Sequence, residues 1–203
     1  MRSRQSIINE ALLFMGQDTV ADPQAEGMAA RLVASVYDGT LAEALALHPW
    51  SFATRAVTLA RRADAPEDRR FANAFALPAD LARIVMAEHA GCHASGLFGA
   101  ANALPVAADV VQGNSLCCNA REVQLLYVPD HVHEAQMPPA FRQLVALMLA
   151  CKLAYKLTGD AALARQLALR LPAARQEAAH NDGEQTNTLP ENRPNLFVAI
   201  REY

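Results

Sequence analysis

The stretch PPAFRQLVALMLACKLAYKLTGD, residues 138–160, decides how the rest of the chain is read. Two prolines open it, where the missing proline N–H costs nothing to a helix start, and Gly159 closes it, where a helix commonly ends in the left-handed conformation. Between Phe141 and Leu157 apolar side chains occupy nearly every face, so this helix wants to be surrounded on all sides rather than to show one face to water. One such helix cannot supply its own surroundings, and other amphipathic helices must come from elsewhere in the chain.

They are found at both ends. Ser3 to Met15 sets Ile7, Ile8, Ala11, Leu12 and Met15 on one face, with Gly16 at the stop. After a turn through Asp22 and Pro23, Glu26 to Leu47 carries Ala29, Leu32, Val33, Val36, Tyr37, Leu41, Ala44 and Leu45 at three- and four-residue spacing. Pro49 ends it, because the residue before proline is driven out of the helical region; His48 is placed at the negative end of the helix dipole. Downstream of the central helix, Asp160 is an N-cap for a helix to about Ala179, with Leu163, Leu167 and Leu171 on one face and Pro172 expected to bend or divide it.

The middle of the chain reads differently. From Trp50 to Arg61 large and small residues alternate, which predicts a strand, and Trp50 with Phe52 is expected to anchor a sheet against the helices. Arg61 to Arg70 is a charged loop. Residues 71–89 read as a short strand, a one-turn helix opened at Pro78 with Asp80 in its first turn, and a strand from Ile84. Gly91 to Asp109, rich in Gly, Ala and Ser, is expected to be a long exposed loop or a poorly ordered arm. Val110 to Cys118 and Glu122 to Val128 are strand-like and close one small antiparallel sheet. Of the vicinal Cys117 and Cys118, which face opposite ways in a strand, at least one belongs to the core.

The expected fold is therefore mainly α with a β-rich insertion: a helical bundle made from the N- and C-terminal helices, residues 3–47 and 138–179, with the inserted region at 50–128. Residues 1–180 form a single domain, and 181–203 an extended C-terminal tail. That tail is polar and proline-containing until LFVAIREY, residues 196–203. Leu196, Phe197, Ile200 and Tyr203 would form an apolar cluster in water, so they either fold back or dock on a partner, and they are the candidate partner-binding residues.

Composition narrows the chemistry. With 203 residues, a formal charge of -3 and a sequence pI near 6.1, the chain has no global electrostatic reason to bind nucleic acid or an anionic membrane. No signal peptide is read at the N-terminus, and no window reaches the roughly 18 to 20 apolar residues of a membrane span. Reduced thiols are expected for the four cysteines, Cys92, Cys117, Cys118 and Cys151, none of which has zinc-ligand spacing. Cys92-His93 and His131-x-His133 approach ligand spacing but lie in loops without an acidic partner. No GxSxG, SxxK, GxxxxGK[ST] or GxGxxG is present. The carboxylates Glu10, Asp38 and Glu43 read as solvated helix positions, and Arg61, Arg69 and Arg70 as a solvated loop beside Glu67 and Asp68. Neither catalytic residue, metal nor cofactor is expected.

Four pieces in order carry a resemblance: NEALLFMGQD (9–18), YDGTLAEALALHPWSFATRAVTLA (37–60), FALPADLARIV (75–85) and FRQLVALMLACKLAYKLTGD (141–160). Their order and spacing resemble the tail tubular protein A family, head-to-tail adaptors of short-tailed bacteriophages also found in prophages. The most distinctive pair is HPWSFA (48–53) followed some two dozen residues later by LPAD (77–80). The resemblance spans residues 6–160; the alanine-rich 91–109 segment and the ending after His180 depart from it. It implies a non-enzymatic virion protein: a homo-oligomeric ring, twelve subunits in members of the family, docked beneath the portal, receiving the tail nozzle, and leaving a channel for DNA as passing cargo. It also implies a place in the virion tail, reached from the host cytoplasm, with no membrane contact. Low basicity suits such a channel, since phosphate contacts would retard passing DNA. The rivals are a particle-associated cell-wall hydrolase, detectable by zymogram on peptidoglycan, and a small helical regulatory protein of the host, which particle proteomics would separate.

Overall fold

A computed structural model describes residues 4–21, 27–89 and 110–187, and these form a mixed α/β protein of four helices and two small antiparallel sheets. The chain divides into two compact units: one drawn from Met1–Ala53 and His131–Tyr203, the other from Thr54–Asp130.

In the first unit the helices are α1 (Arg4–Phe14), α2 (Met28–Ala46), α3 (Pro139–Thr158) and α4 (Ala161–Asn187). α3 packs against each of the other three. Its reading as an all-round apolar helix holds: Phe141, Leu144 to Ala150, Leu153 and Ala154 are all buried. Gly159 closes it at φ 70°, and Asp160 opens α4 by accepting from the amides of Ala162 (2.8 Å) and Leu163 (3.0 Å). α1 brings Ile7, Ile8, Ala11 and Leu12 inward and ends before Gly16, at φ 69°. α2 contributes Val33, Tyr37, Leu41, Ala44 and Leu45. At roughly 1.5–3 kcal/mol for each large apolar side chain removed from water, this shared core is the main stabilising term of the unit.

Two features of α4 depart from expectation. Pro172 lies inside the helix without dividing it, and the helix runs to Asn187, so residues 181–187 are helical rather than the start of an extended tail. The physical reason is a tertiary anchor, Asp182, described below. The candidate residues Leu196, Phe197, Ile200 and Tyr203, like the 91–109 loop, lie outside the described residues.

The second unit holds β1 (Arg55–Thr58), β2 (Asn73–Ala76), β3 (Leu81–His89), β4 (Val110–Gln112), β5 (Ser115–Cys118) and β6 (Val123–Pro129). They make two three-stranded sheets, β1-β6-β3 and β2-β5-β4, where one sheet was expected. The single strand foreseen over Val110–Cys118 is a hairpin, broken at Gly113, φ 55°, and Asn114. Three further expectations fail here. Residues 51–53 form a turn, so β1 starts only at Arg55; the Pro78 segment is a turn, not a helix; and β3 begins at Leu81 rather than Ile84. Leu59, Phe75, Leu77, Leu116, Cys118, Val123, Leu125 and Tyr127 form the unit's core. Cys117 packs the other way, with Phe71 and Ala74, so both vicinal cysteines are buried.

Candidate functional site

A polar constellation with a buried carboxylate lies where α2 gives way to a turn. Pro49 stops the helical path, and Trp50 drops into the core, where its indole N–H donates to the Ala44 carbonyl (3.0 Å). Its ring meets Phe141 of α3 edge-on at 4.9 Å, with Phe52 on Phe141 at 5.0 Å and His48 on Trp50 at 4.9 Å. Trp50 and Phe52 are thus anchors of the helical unit itself. Beside them Asp182 of α4, only 5% exposed, accepts from the Ser51 amide (3.0 and 3.1 Å) and the Ser51 hydroxyl (2.7 Å). His48 Nε2 lies 3.8 Å from the same carboxylate, and Arg175 donates to the Leu47 carbonyl.

A serine, a histidine and an aspartate together invite comparison with a nucleophilic triad. The order is wrong for that chemistry: the Ser51 hydroxyl donates its hydrogen bond directly to the carboxylate, whereas a nucleophile needs a base interposed to take its proton and return it. What the cluster does is hold α4 to the turn. Sequence reading missed it because Asn181-Asp182-Gly183 has turn composition, and nothing local signals a carboxylate that must be buried.

Two of the three carboxylates weighed from sequence are tied into helix-to-helix pairs. Asp38 meets Arg4 at 3.2 Å and Glu43 meets Lys152 at 2.7 Å. Arg4 also lies over the ring of buried Tyr37, 4.5 Å from its centre, and the Tyr37 hydroxyl donates to Glu134. Burial, then the Glu134 carboxylate, pushes that hydroxyl well above the ordinary tyrosine range, so it serves as a donor. Glu10 is held above the usual carboxylate range by burial, an effect the Arg142 charge only partly offsets. A raised value stabilises the fold below the unfolded-state value and loses that contribution as pH rises through the folded one. Glu10→Gln is therefore expected to stabilise the protein at neutral pH, by less than about 1 kcal/mol for so accessible a group, with no gain below pH 4. Urea melts at the two pH values check this; an equal shift at both would refute it.

The remaining sequence candidates have structural roles or scatter. The His133 ring accepts from the Ala135 amide (3.2 Å) and caps the 3-10 turn Glu134–Gln136, while His131 is exposed. Arg70 makes a bidentate pair with Asp68, whose carboxyl that guanidinium holds below the usual range. Cys92 and His93 fall outside the described residues. Among the described residues no group of three His, Cys, Asp or Glu side chains could hold a metal ion, and no helix is long and apolar enough to cross a membrane.

In the β unit a groove of about 480 Å³ is lined by residues that include Arg62, Asp64, Glu67, Gln112, Ser115 and Cys117. Arg62 already donates to the Ser115 hydroxyl (3.1 Å). Burial, then Asp68 and Glu67, raises the Cys117 thiol above its ordinary value, which keeps it protonated and a poor nucleophile.

The LPAD turn has a different task. Asp80 accepts from Arg55 of β1 (3.1 Å) and from the Tyr127 hydroxyl of β6 (3.2 Å), while its carbonyl accepts from the Asp130 amide (2.7 Å). The 37–60 stretch and the LPAD turn thus meet through Arg55 and Asp80.

Against protein-family models and curated proteins, the chain matches nothing. The resemblance to tail tubular protein A therefore rests on the motif residues themselves, and their geometry is one of packing, capping and turn closure.

Proposed function

We propose that this chain is a structural subunit of a phage or prophage particle, a head-to-tail adaptor of the tail tubular protein A type that joins portal to tail nozzle and leaves a channel for DNA. The observation that carries the reading is the ordered set of motif pieces, and above all the HPWSFA and LPAD pair. Its residues have linked structural work: Trp50 anchors the helical unit, Ser51 binds α4, and Arg55 binds Asp80. A motif whose residues hold turns and helices together is what a scaffold needs, since its task is to present surfaces in fixed geometry. On this reading the N- and C-terminal helices make one bundle, and residues 54–130 are its β-rich insertion. The partners are further copies of the chain, the portal, the nozzle and passing DNA.

The test is assembly. Purified chain added to the portal of the same particle is expected to form a ring, counted as twelve copies by native mass spectrometry. Deleting Asn195 to Tyr203, with its apolar Leu196, Phe197, Ile200 and Tyr203, is expected to leave a folded chain whose portal affinity falls at least about tenfold, because burying such a cluster contributes several kcal/mol before ordering costs. A full-length chain that stays off the portal, or that clears peptidoglycan in a zymogram, overturns the reading. Unchanged affinity of the truncated chain removes the tail from the interface.

A further inference from the structure

α4 is two helices in energetic terms. Before Pro172 it buries Leu167 and half-buries Leu163 and Leu171; beyond Pro172, among residues whose side chains are described, only Ala178 and Asp182 are buried. Alanine contributes little apolar area, so the distal part gains little from burial. Its intrinsic preferences also run against helix. Pro172 lacks the N–H that would bond back one turn, and Asn181, Asp182 and Gly183 in succession are poor helix formers, each costing about 0.5–1 kcal/mol relative to alanine. One exposed pair, His180 with Glu184 at 3.2 Å, works in the other direction.

Against this stands one concentrated set of bonds. Asp182 accepts three times from Ser51, 131 residues away, with His48 alongside, and Arg175 reaches the Leu47 carbonyl. Local preference for coil is balanced by a tertiary contact of few atoms. That is the condition for a segment with two accessible states whose exchange need not disturb the core.

We propose that α4 beyond Pro172 is a releasable strap, and that the Asp182 to Ser51 contact is its latch. With the latch closed the segment is helical and covers the polar edge of the 47–51 turn. With it open, residues 173–187 leave the turn, and the Ser51 amide and hydroxyl and the Leu47 carbonyl exchange these bonds for water. The aromatic cluster of Trp50, Phe52 and Phe141 is seated on α3, so it stays in place in both states. This separates the device from ordinary unfolding and goes beyond the adaptor reading without depending on it.

The single tryptophan makes the test direct, because Trp50 is fully buried next to the latch. In the full chain, Asp182→Asn replaces one acceptor oxygen with a donor facing the Ser51 amide. Amide exchange over 173–184 is expected to accelerate at least about tenfold, the factor appropriate to losing bonds to a buried charge, while exchange over 144–154 and the Trp50 emission maximum stay at parental values. Ser51→Ala removes only the hydroxyl bond and is expected to produce a smaller acceleration confined to the same residues. Unchanged exchange over 173–184 in both variants overturns the latch. Faster exchange over 144–154 together with a red-shifted Trp50 emission shows instead that the segment belongs to the core, and overturns the strap.

Discussion

Trp50→Ala is expected to cost about 3–5 kcal/mol, the range for truncating a large aromatic side chain in a well-packed core, a large fraction of the about 5–15 kcal/mol that holds a typical domain folded. The site explains why the loss falls at the high end. The ring is fully buried and held between His48, Phe52 and Phe141, so neighbours on three sides lose contacts at once. The lost indole hydrogen bond matters less, because the Ala44 carbonyl also accepts from the Leu47 amide (3.2 Å). Trp50→Phe keeps an aromatic ring against Phe141 and should cost about half as much. Urea unfolding followed by far-ultraviolet circular dichroism measures both, and an alanine variant within about 1 kcal/mol of the parent would show that the ring is not a keystone of the unit.

How much of this was legible depended on whether local pattern and tertiary packing agreed. They agree in α3, where apolar residues on every face, Pro139 at the start and Gly159 at the end each point to one buried helix. They agree at Asp160, whose capping follows from residue type and position. They part at Trp50. The alternation from Trp50 to Arg61 imitates a strand, but Trp50 and Phe52 alternate with small residues because both reach Phe141, and the backbone turns to let them do so. They part again at Asp80, where a residue suited to a helix start is taken up by Arg55 and Tyr127. The Gly113-Asn114 break was open to reading, since Gly-Asn between two strand-like runs is a hairpin signal. Asp182 was not, because its partner is 131 residues away. Ion pairs such as Arg4 with Asp38 were hidden for the same reason: each residue by itself reads as solvated helix surface.

The same charge placed on two adjacent helices should give opposite outcomes. Leu149 of α3 is fully buried, whereas Leu169 of α4 is 75% exposed. Leu149→Asp removes a fully buried side chain and puts a carboxylate in the apolar interior of the helical unit. Cavity and desolvation penalties add, and the sum is expected to exceed about 5 kcal/mol, enough to abolish cooperative folding of the helical unit. Leu169→Asp exchanges one exposed side chain for another and is expected to change stability by no more than about 0.5 kcal/mol, because surface positions away from caps and networks are tolerant. α3 and α4 are consecutive and packed together, so the contrast tests facing rather than propensity. Thermal melts and soluble yield measure it. If both variants fold equally well, α3 is not the central helix of its unit; if Leu169→Asp instead unfolds the protein, the outer face of α4 is covered within the chain itself.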